Sequence, residues 1–205
     1  MVLEGVLEGF DSWSSNYRVS IAGFEQADDE YASVSKVITA SDIQDGKALV
    51  ELSGIKDNVT LVRLCILDRL RRHIVGFKEV DISDATEPVK MDVGTIDISM
   101  FNTIQQNFFN TTCANCHGAS NRVAADLYLT DGKSYSALVG ADSKRVSNKK
   151  LVEPNDAAGS VIHMVLNQES VEGISMNHFD LVSELNKQTI LPIIDSWINN
   201  GAKEN

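Results

Sequence analysis

In the first half of the chain, apolar residues recur at every second position in short runs separated by turn-forming residues. Tyr17, Val19 and Ile21 alternate with polar or small neighbours, and Ala48, Val50 and Leu52 share one face after the Asp45-Gly46 turn. Longer apolar stretches follow at 59–67 and 74–82, on either side of the basic turn Arg69, Leu70, Arg71, Arg72, and another closes the set at 89–98. Alternation with period 2 puts successive side chains on opposite faces of a strand. About seven such strands with no helical period predict an antiparallel sandwich over residues 1–98. The repeated Val-Leu-Glu-Gly at 2–5 and 6–9 is too short for a structural repeat.

At Met100 the period changes to 3.6, because Phe101, Ile104 and Phe108 fall at i, i+3 and i+7 on one helical stripe. Residues 121–125 read as loop, 134–139 as a short helix ended by Gly140, and 142–150 as a polar, basic surface loop. Pro154, Asn155 and Asp156 open a helix over 158–167. A last helix carries Ile190, Ile193, Ile194, Trp197 and Ile198 on one face and ends at Asn200-Gly201. Pro192 fits that helix if it starts near 186–189, where early N–H groups lack partners anyway.

Between the first two helical stretches lies Cys113-Ala114-Asn115-Cys116-His117. Two cysteines three positions apart, followed directly by histidine, have the spacing of covalent c-type haem attachment. One helical turn can present both thiols to the two vinyl groups on one porphyrin edge. His117 then ligates iron through one nitrogen while the other donates to an orienting carbonyl, from Pro154 or from the loop at 121–125. A zinc site needs about four ligands, and only Cys113, Cys116 and either His163 or His178 offer themselves. A redox dithiol would follow an apolar strand, whereas the preceding residues here have helical period. The expected cofactor is therefore one covalent haem c, held by Cys113 and Cys116 with His117 on iron. A chain made without the attachment machinery would lack it.

Composition narrows the setting. The 205 residues include 43% hydrophobic and 23% charged side chains, as in an ordinary globular protein. No apolar run approaches the ~18 residues of a membrane-spanning helix. A net charge of −11 disfavours nucleic acid and suits a basic redox partner protein. Residues 1–98 carry 10 basic and 18 acidic side chains, against 8 and 11 in the remainder. Cys65, among aliphatic neighbours, reads as a small buried hydrophobe. Trp13 reads as core or rim packing, and His73 as an exposed or strand-edge residue. The chain opens without a charged n-region and an apolar h-region. Thioether attachment takes place outside energy-conserving membranes, so a removed leader and a periplasmic or cell-envelope location are expected; a lipid anchor is compatible with this but not visible.

The organisation that follows is two domains without a long linker. Residues 1–98 form an all-β sandwich of immunoglobulin or transthyretin type, acting as a positioning or adaptor module. Residues 99–205 form an all-α domain. This second half resembles the small bacterial cytochrome c domains often called planctomycete-type, related to class I cytochromes. The matching pieces, in order, are Cys113 to Gly118; Asp126, Leu127, Tyr128, Leu129 and Thr130 leading to Tyr135 through Gly140; Val152, Glu153, Pro154, Asn155 and Asp156 with Ser160; and Trp197 through Ala202.

The resemblance implies crossed first and last helices, with Phe108 or Phe101 against Trp197. It also implies a methionine as sixth iron ligand in a Met-Pro step, which corresponds to Met176; here Asn177 replaces the proline, and His178 is the alternative. His163 and Met164 are further alternatives, and Lys144, Arg145, Lys149 and Lys150 are either propionate partners or solvated loop charge. A filled sixth position makes a one-electron carrier, while an open one makes a peroxidase-like enzyme or gas sensor. A sandwich that binds a partner or glycan, with an accessory haem domain, is the remaining reading.

Overall fold

The computed structural model describes residues 1–118 and 123–204. The chain divides into two compact units, 1–99 and 100–205.

In the first unit eight strands form two four-stranded sheets, giving a sandwich-like β region. One sheet has the order β4 (Ile43–Gln44), β5 (Lys47–Glu51), β1 (Val2–Glu8), β8 (Lys90–Asp97). The other has the order β3 (Val34–Val37), β2 (Tyr17–Phe24), β6 (Leu61–Asp68), β7 (His73–Asp81). Alternating residues meet in one core that includes Leu3, Ile21, Val50, Leu64, Ile66 and Met91. A smaller cluster of Ala22, Phe24, Ala32, Leu61, Cys65 and Leu67 covers the opposite faces of β2 and β6. Cys65 is fully buried there, which pushes its thiol up to about 12.

Two features differ from the sequence expectation. The opening Val-Leu-Glu-Gly pair is a strand, β1, lying in the interior of its sheet, and it pairs with β8 in parallel rather than antiparallel. Leu3 and Leu7 point inward, and Gly5 between them bulges at φ +145 where a Cβ would strike Val93 and the Gly94 carbonyl. With a glycine at the central inward position, the apolar residues recur every four positions, so the alternation that marks a strand is hidden.

His73 is the strand-edge residue expected, the first residue of the edge strand β7, and it is half-buried there, its ring edge-on to Phe24 at 5.5 Å. Its buried Nε2 has no hydrogen-bond partner, and burial, reinforced by the Arg63 charge, lowers its pKa from 6.5 to about 4. Trp13 is a packing residue: its Nε1 donates to the Ile98 carbonyl at 2.7 Å.

The second unit is mostly helical. α1 (Met100–Ile104) runs without interruption through a π-helical stretch, Gln105–Cys113, into α2 (Ala114–His117). Among the described residues three more α-helices follow: α3 (Ser134–Leu138), α4 (Val161–Asn167) and α5 (Glu184–Asn199). The Phe101 ring lies 5.2 Å from both Trp197 of α5 and Tyr135 of α3, while Phe108 and Phe109 are fully buried beside them. The end of α5 is strapped down from elsewhere in the chain. Asn155 N–H donates to the Ile198 carbonyl at 2.8 Å, and Ala157 N–H to Asn199 Oδ1 at 3.0 Å. These bonds use carbonyls and side chains that a helix end otherwise leaves unsatisfied.

α5 begins two residues earlier than Pro192 suggested, because Ser183 caps it by accepting from Asn186 N–H. Pro192 therefore sits inside the helix, on its exposed side, where it contributes no N–H to the helical ladder.

Because folding lowers the His73 pKa, the unfolded chain binds the extra proton between pH 6.5 and 4. The neutral ring's contribution is complete above about pH 6.5 and is lost as pH falls toward 4. Urea unfolding of the chain over this window is expected to show a loss of stability that the variant His73→Leu reduces.

Candidate functional site

The cysteine motif is carried on the last turns of the long first helix, and local side chains shape how it gets there. Asn107 Nδ2, Thr111 Oγ1 and Asn115 Nδ2 bond to the carbonyls four residues back, of Thr103, Asn107 and Thr111, at 2.9, 2.9 and 3.3 Å. Polar side chains that claim these carbonyls compete with the ordinary helical ladder. Across this stretch the backbone widens to the i−5 pattern, and Ala114 N–H bonds to Phe109 O. Gly118 ends the helix where a Cβ would run into the Ala114 carbonyl oxygen, so the residue after His117 has room only for a hydrogen.

Cys113 and Cys116 are both free thiols. Cys116 is exposed, whereas Cys113 is more enclosed, and its thiol is pushed up to about 12 by burial and secondarily by Cys116. His117 is half-buried, and its Nδ1 lies 3.0 Å from the Ala124 carbonyl. A carbonyl can only accept, so Nδ1 carries the hydrogen and a neutral ring has its lone pair on Nε2. Of the two sources considered for this carbonyl, the loop supplies it; residues 121 and 122 lie outside the described residues. Ala125 and Asp126, directly after it, adopt left-handed backbone at φ +56 and +53, a local strain of the kind that collects at functional positions.

Facing His117 is the ring of His178, with centroids 6.2 Å apart and planes within 20°. His178 Nδ1 donates to the Met176 carbonyl at 3.1 Å. Burial holds this imidazole below its ordinary value; the bond to Met176 opposes that shift and the nearby His117 adds to it. The ring is thus neutral near pH 7. The expected ligand Met176 is 58% exposed. His163 Nδ1 is bound to Asp195 Oδ1 at 2.8 Å on the α4–α5 pair, and Met164 is half-buried.

Sequence reasoning passed over the group that organises this neighbourhood. Gln105 is 1% exposed, with Nε2 donating to Asn110 Oδ1 at 2.7 Å and to the Leu129 carbonyl at 3.2 Å. Its Oε1 accepts from Ser134 Oγ. Leu129 N–H in turn donates to the His117 carbonyl at 2.7 Å. The only trace of this in the sequence is a polar residue beside the apolar stripe of the first helix. Among the basic residues of the 142–150 loop, Lys144 pairs with Asp126 and Lys150 with Asp142.

Among the described residues, no three His, Cys, Asp or Glu side chains converge as a metal site. A haem asks for less, since its porphyrin brings four nitrogens and leaves two axial positions. Two free thiols on one helical turn and an imidazole with its Nδ1 already committed fit such a group. Compared with known proteins, the chain matches no family model, no curated protein and no solved structure.

In the haem-free chain, iodoacetamide at pH 8 followed by mass spectrometry should label Cys116 first. Cys113 should react about tenfold more slowly, as a buried thiol with little thiolate does. Cys65 should react only on unfolding. Gln105→Ala should lower the unfolding free energy by about 1–3 kcal/mol, measured in urea, because it strands buried partners.

Proposed function

We propose that this chain is a covalent haem c protein of the bacterial cell envelope that carries one electron at a time between redox partner proteins. The observation that carries the reading is the pairing of two free thiols, Cys113 and Cys116, on one helical turn with His117, whose Nδ1 is held by the Ala124 carbonyl.

Haem, when bound, supplies an iron that alternates between ferric and ferrous states. The chain's own residues do the rest. Cys113 and Cys116 would hold the group, each adding its S–H across a vinyl double bond, sulfur to one carbon and hydrogen to the other. His117 would offer Nε2 to the iron, with its ring held at Nδ1 by the Ala124 carbonyl. Phe108 and Phe109, on the helix that carries the motif, and Leu129, whose N–H holds the His117 carbonyl, are all buried. His178, in the segment at 176–178, faces His117, so this segment would offer the iron a second ligand, which argues against an open site for peroxide or a diatomic gas.

On this reading the helical unit is a cytochrome c-like domain, and the β unit is an immunoglobulin- or transthyretin-like positioning module. The exposed large apolar residues of the sandwich, among those described, are Tyr31, Val37, Leu49 and Leu70, with a single aromatic ring between them. That offers little stacking surface for a glycan. The attachment chemistry assigns the protein to the outer side of the membrane.

Expression in a bacterial periplasm with the haem-attachment machinery tests the proposal. The expected product keeps its haem through denaturing electrophoresis and, once reduced, does not bind carbon monoxide. Cys113→Ser and Cys116→Ser should each lose one thioether, read from the pyridine haemochrome spectrum. A wild-type chain that emerges without covalent haem overturns the proposal, and rapid carbon monoxide binding overturns the carrier role.

A further inference from the structure

Resting on the haem reading above, we infer that the second axial ligand is His178 and not the side chain of Met176, so that the iron is held between two imidazoles. Three observations point there.

The first is spacing. A metal–imidazole nitrogen bond is about 2 Å long. It places a ring centroid about 3 Å from the metal, so two imidazoles on opposite sides of one ion have centroids about 6 Å apart. The centroids of His117 and His178 are 6.2 Å apart.

The second is how the two rings are held. Each commits Nδ1 to a backbone carbonyl, His117 to Ala124 and His178 to Met176, at 3.0 and 3.1 Å. Carbonyl bonds at Nδ1 fix the orientation of a ligating imidazole and leave Nε2 as its donor. The 176–178 segment therefore uses the main chain of Met176 as the support and the ring of His178 as the ligand.

The third is the frame around His178. The short turn Phe179–Leu181 that follows it is closed by Asn177 and Asp180, through Asn177 Nδ2 to Asp180 Oδ2 at 2.8 Å and Asp180 N–H to Asn177 Oδ1 at 3.2 Å. Lys187 Nζ of α5 sits 3.8 Å above the Phe179 ring. Upstream, Gly173 at φ +84 passes so close to the Arg145 carbonyl that a Cβ would strike it. The segment is anchored at both ends with His178 at the start of the turn, while Met176, before the turn, is 58% exposed. Asn177 is the residue that makes the difference. A proline there has no amide side chain with which to close the turn on Asp180.

Two imidazoles favour ferric iron more than an imidazole and a thioether do, so the site works at low potential.

The test uses the haem-loaded full chain and its variants Met176→Ala, which keeps the carbonyl, and His178→Ala. The ferric wild type should be low-spin by electron paramagnetic resonance and lack the near-infrared sulfur-to-iron charge-transfer band. Met176→Ala should leave spectrum and midpoint potential unchanged. His178→Ala should become high-spin, bind carbon monoxide when reduced, and return to low-spin when imidazole is added. A sulfur-to-iron band in the wild type that Met176→Ala abolishes overturns the assignment, and this holds even where His178→Ala fails to accumulate. An unchanged low-spin spectrum in His178→Ala, with covalent haem present, overturns the assignment alone. Absence of covalent haem from the wild type overturns the haem reading and the assignment with it.

Discussion

A primary amide taken out of water has to find partners for two donors and an acceptor, and at Gln105 meeting those demands dictates the geometry around the cysteine motif. Its donors reach Asn110 on its own helix and the Leu129 carbonyl, and its acceptor takes the Ser134 hydroxyl. Leu129 then uses its own N–H on the His117 carbonyl. Three stretches of chain are joined through one side chain, and each bond is worth more because breaking it strands a buried partner. The chain that leaves the motif is held at Leu129, which leaves the intervening loop to bring the Ala124 carbonyl to the His117 ring.

The aromatic packing of the first helix complements this knot. Phe101 meets Trp197 and Tyr135, so the helix that bears the thiols is braced on α5 and α3. α5 is itself tied at its end by the 155–157 turn, and Ser160 closes that turn by accepting from Glu153 N–H and donating to the Asp156 carbonyl. Apolar contacts set the distances between helices, and the few buried polar groups set their register. The π-helical stretch comes from the same competition for backbone groups, with Asn107, Thr111 and Asn115 each drawing on a carbonyl four residues back.

On the proposed reading, the two sides of the haem are built by different means. His117 is adjacent to the thioether positions and shares their helix. His178 arrives from a turn closed by Asn177 and Asp180, steadied by Lys187 over Phe179. One ligand comes with the attachment site, and the other depends on the whole domain being folded.

The same division separates what could be read directly from the chain and what could not. Cys113, Cys116 and His117 lie within one helical turn, so their spacing alone places their side chains together. The alternation of Ala48, Val50 and Leu52 and the stripe of Ile190, Ile194 and Trp197 likewise declare a strand and a helix, because period is a local property. β1 escaped because Gly5 occupies an inward position and interrupts the alternation, and its parallel pairing with β8 is a long-range choice. Gln105 escaped because a buried glutamine looks like any surface one until its partners, 24 and 29 residues on, are in place. By itself the sequence determined the local chemistry of the cysteine motif. Only the tertiary structure decided that the ring opposite His117 belongs to His178, because a contact across some sixty residues is selected by packing and loop closure, which leave no periodic trace along the chain, and only it chose the nearby loop, through Ala124, over Pro154 as the source of the carbonyl at Nδ1.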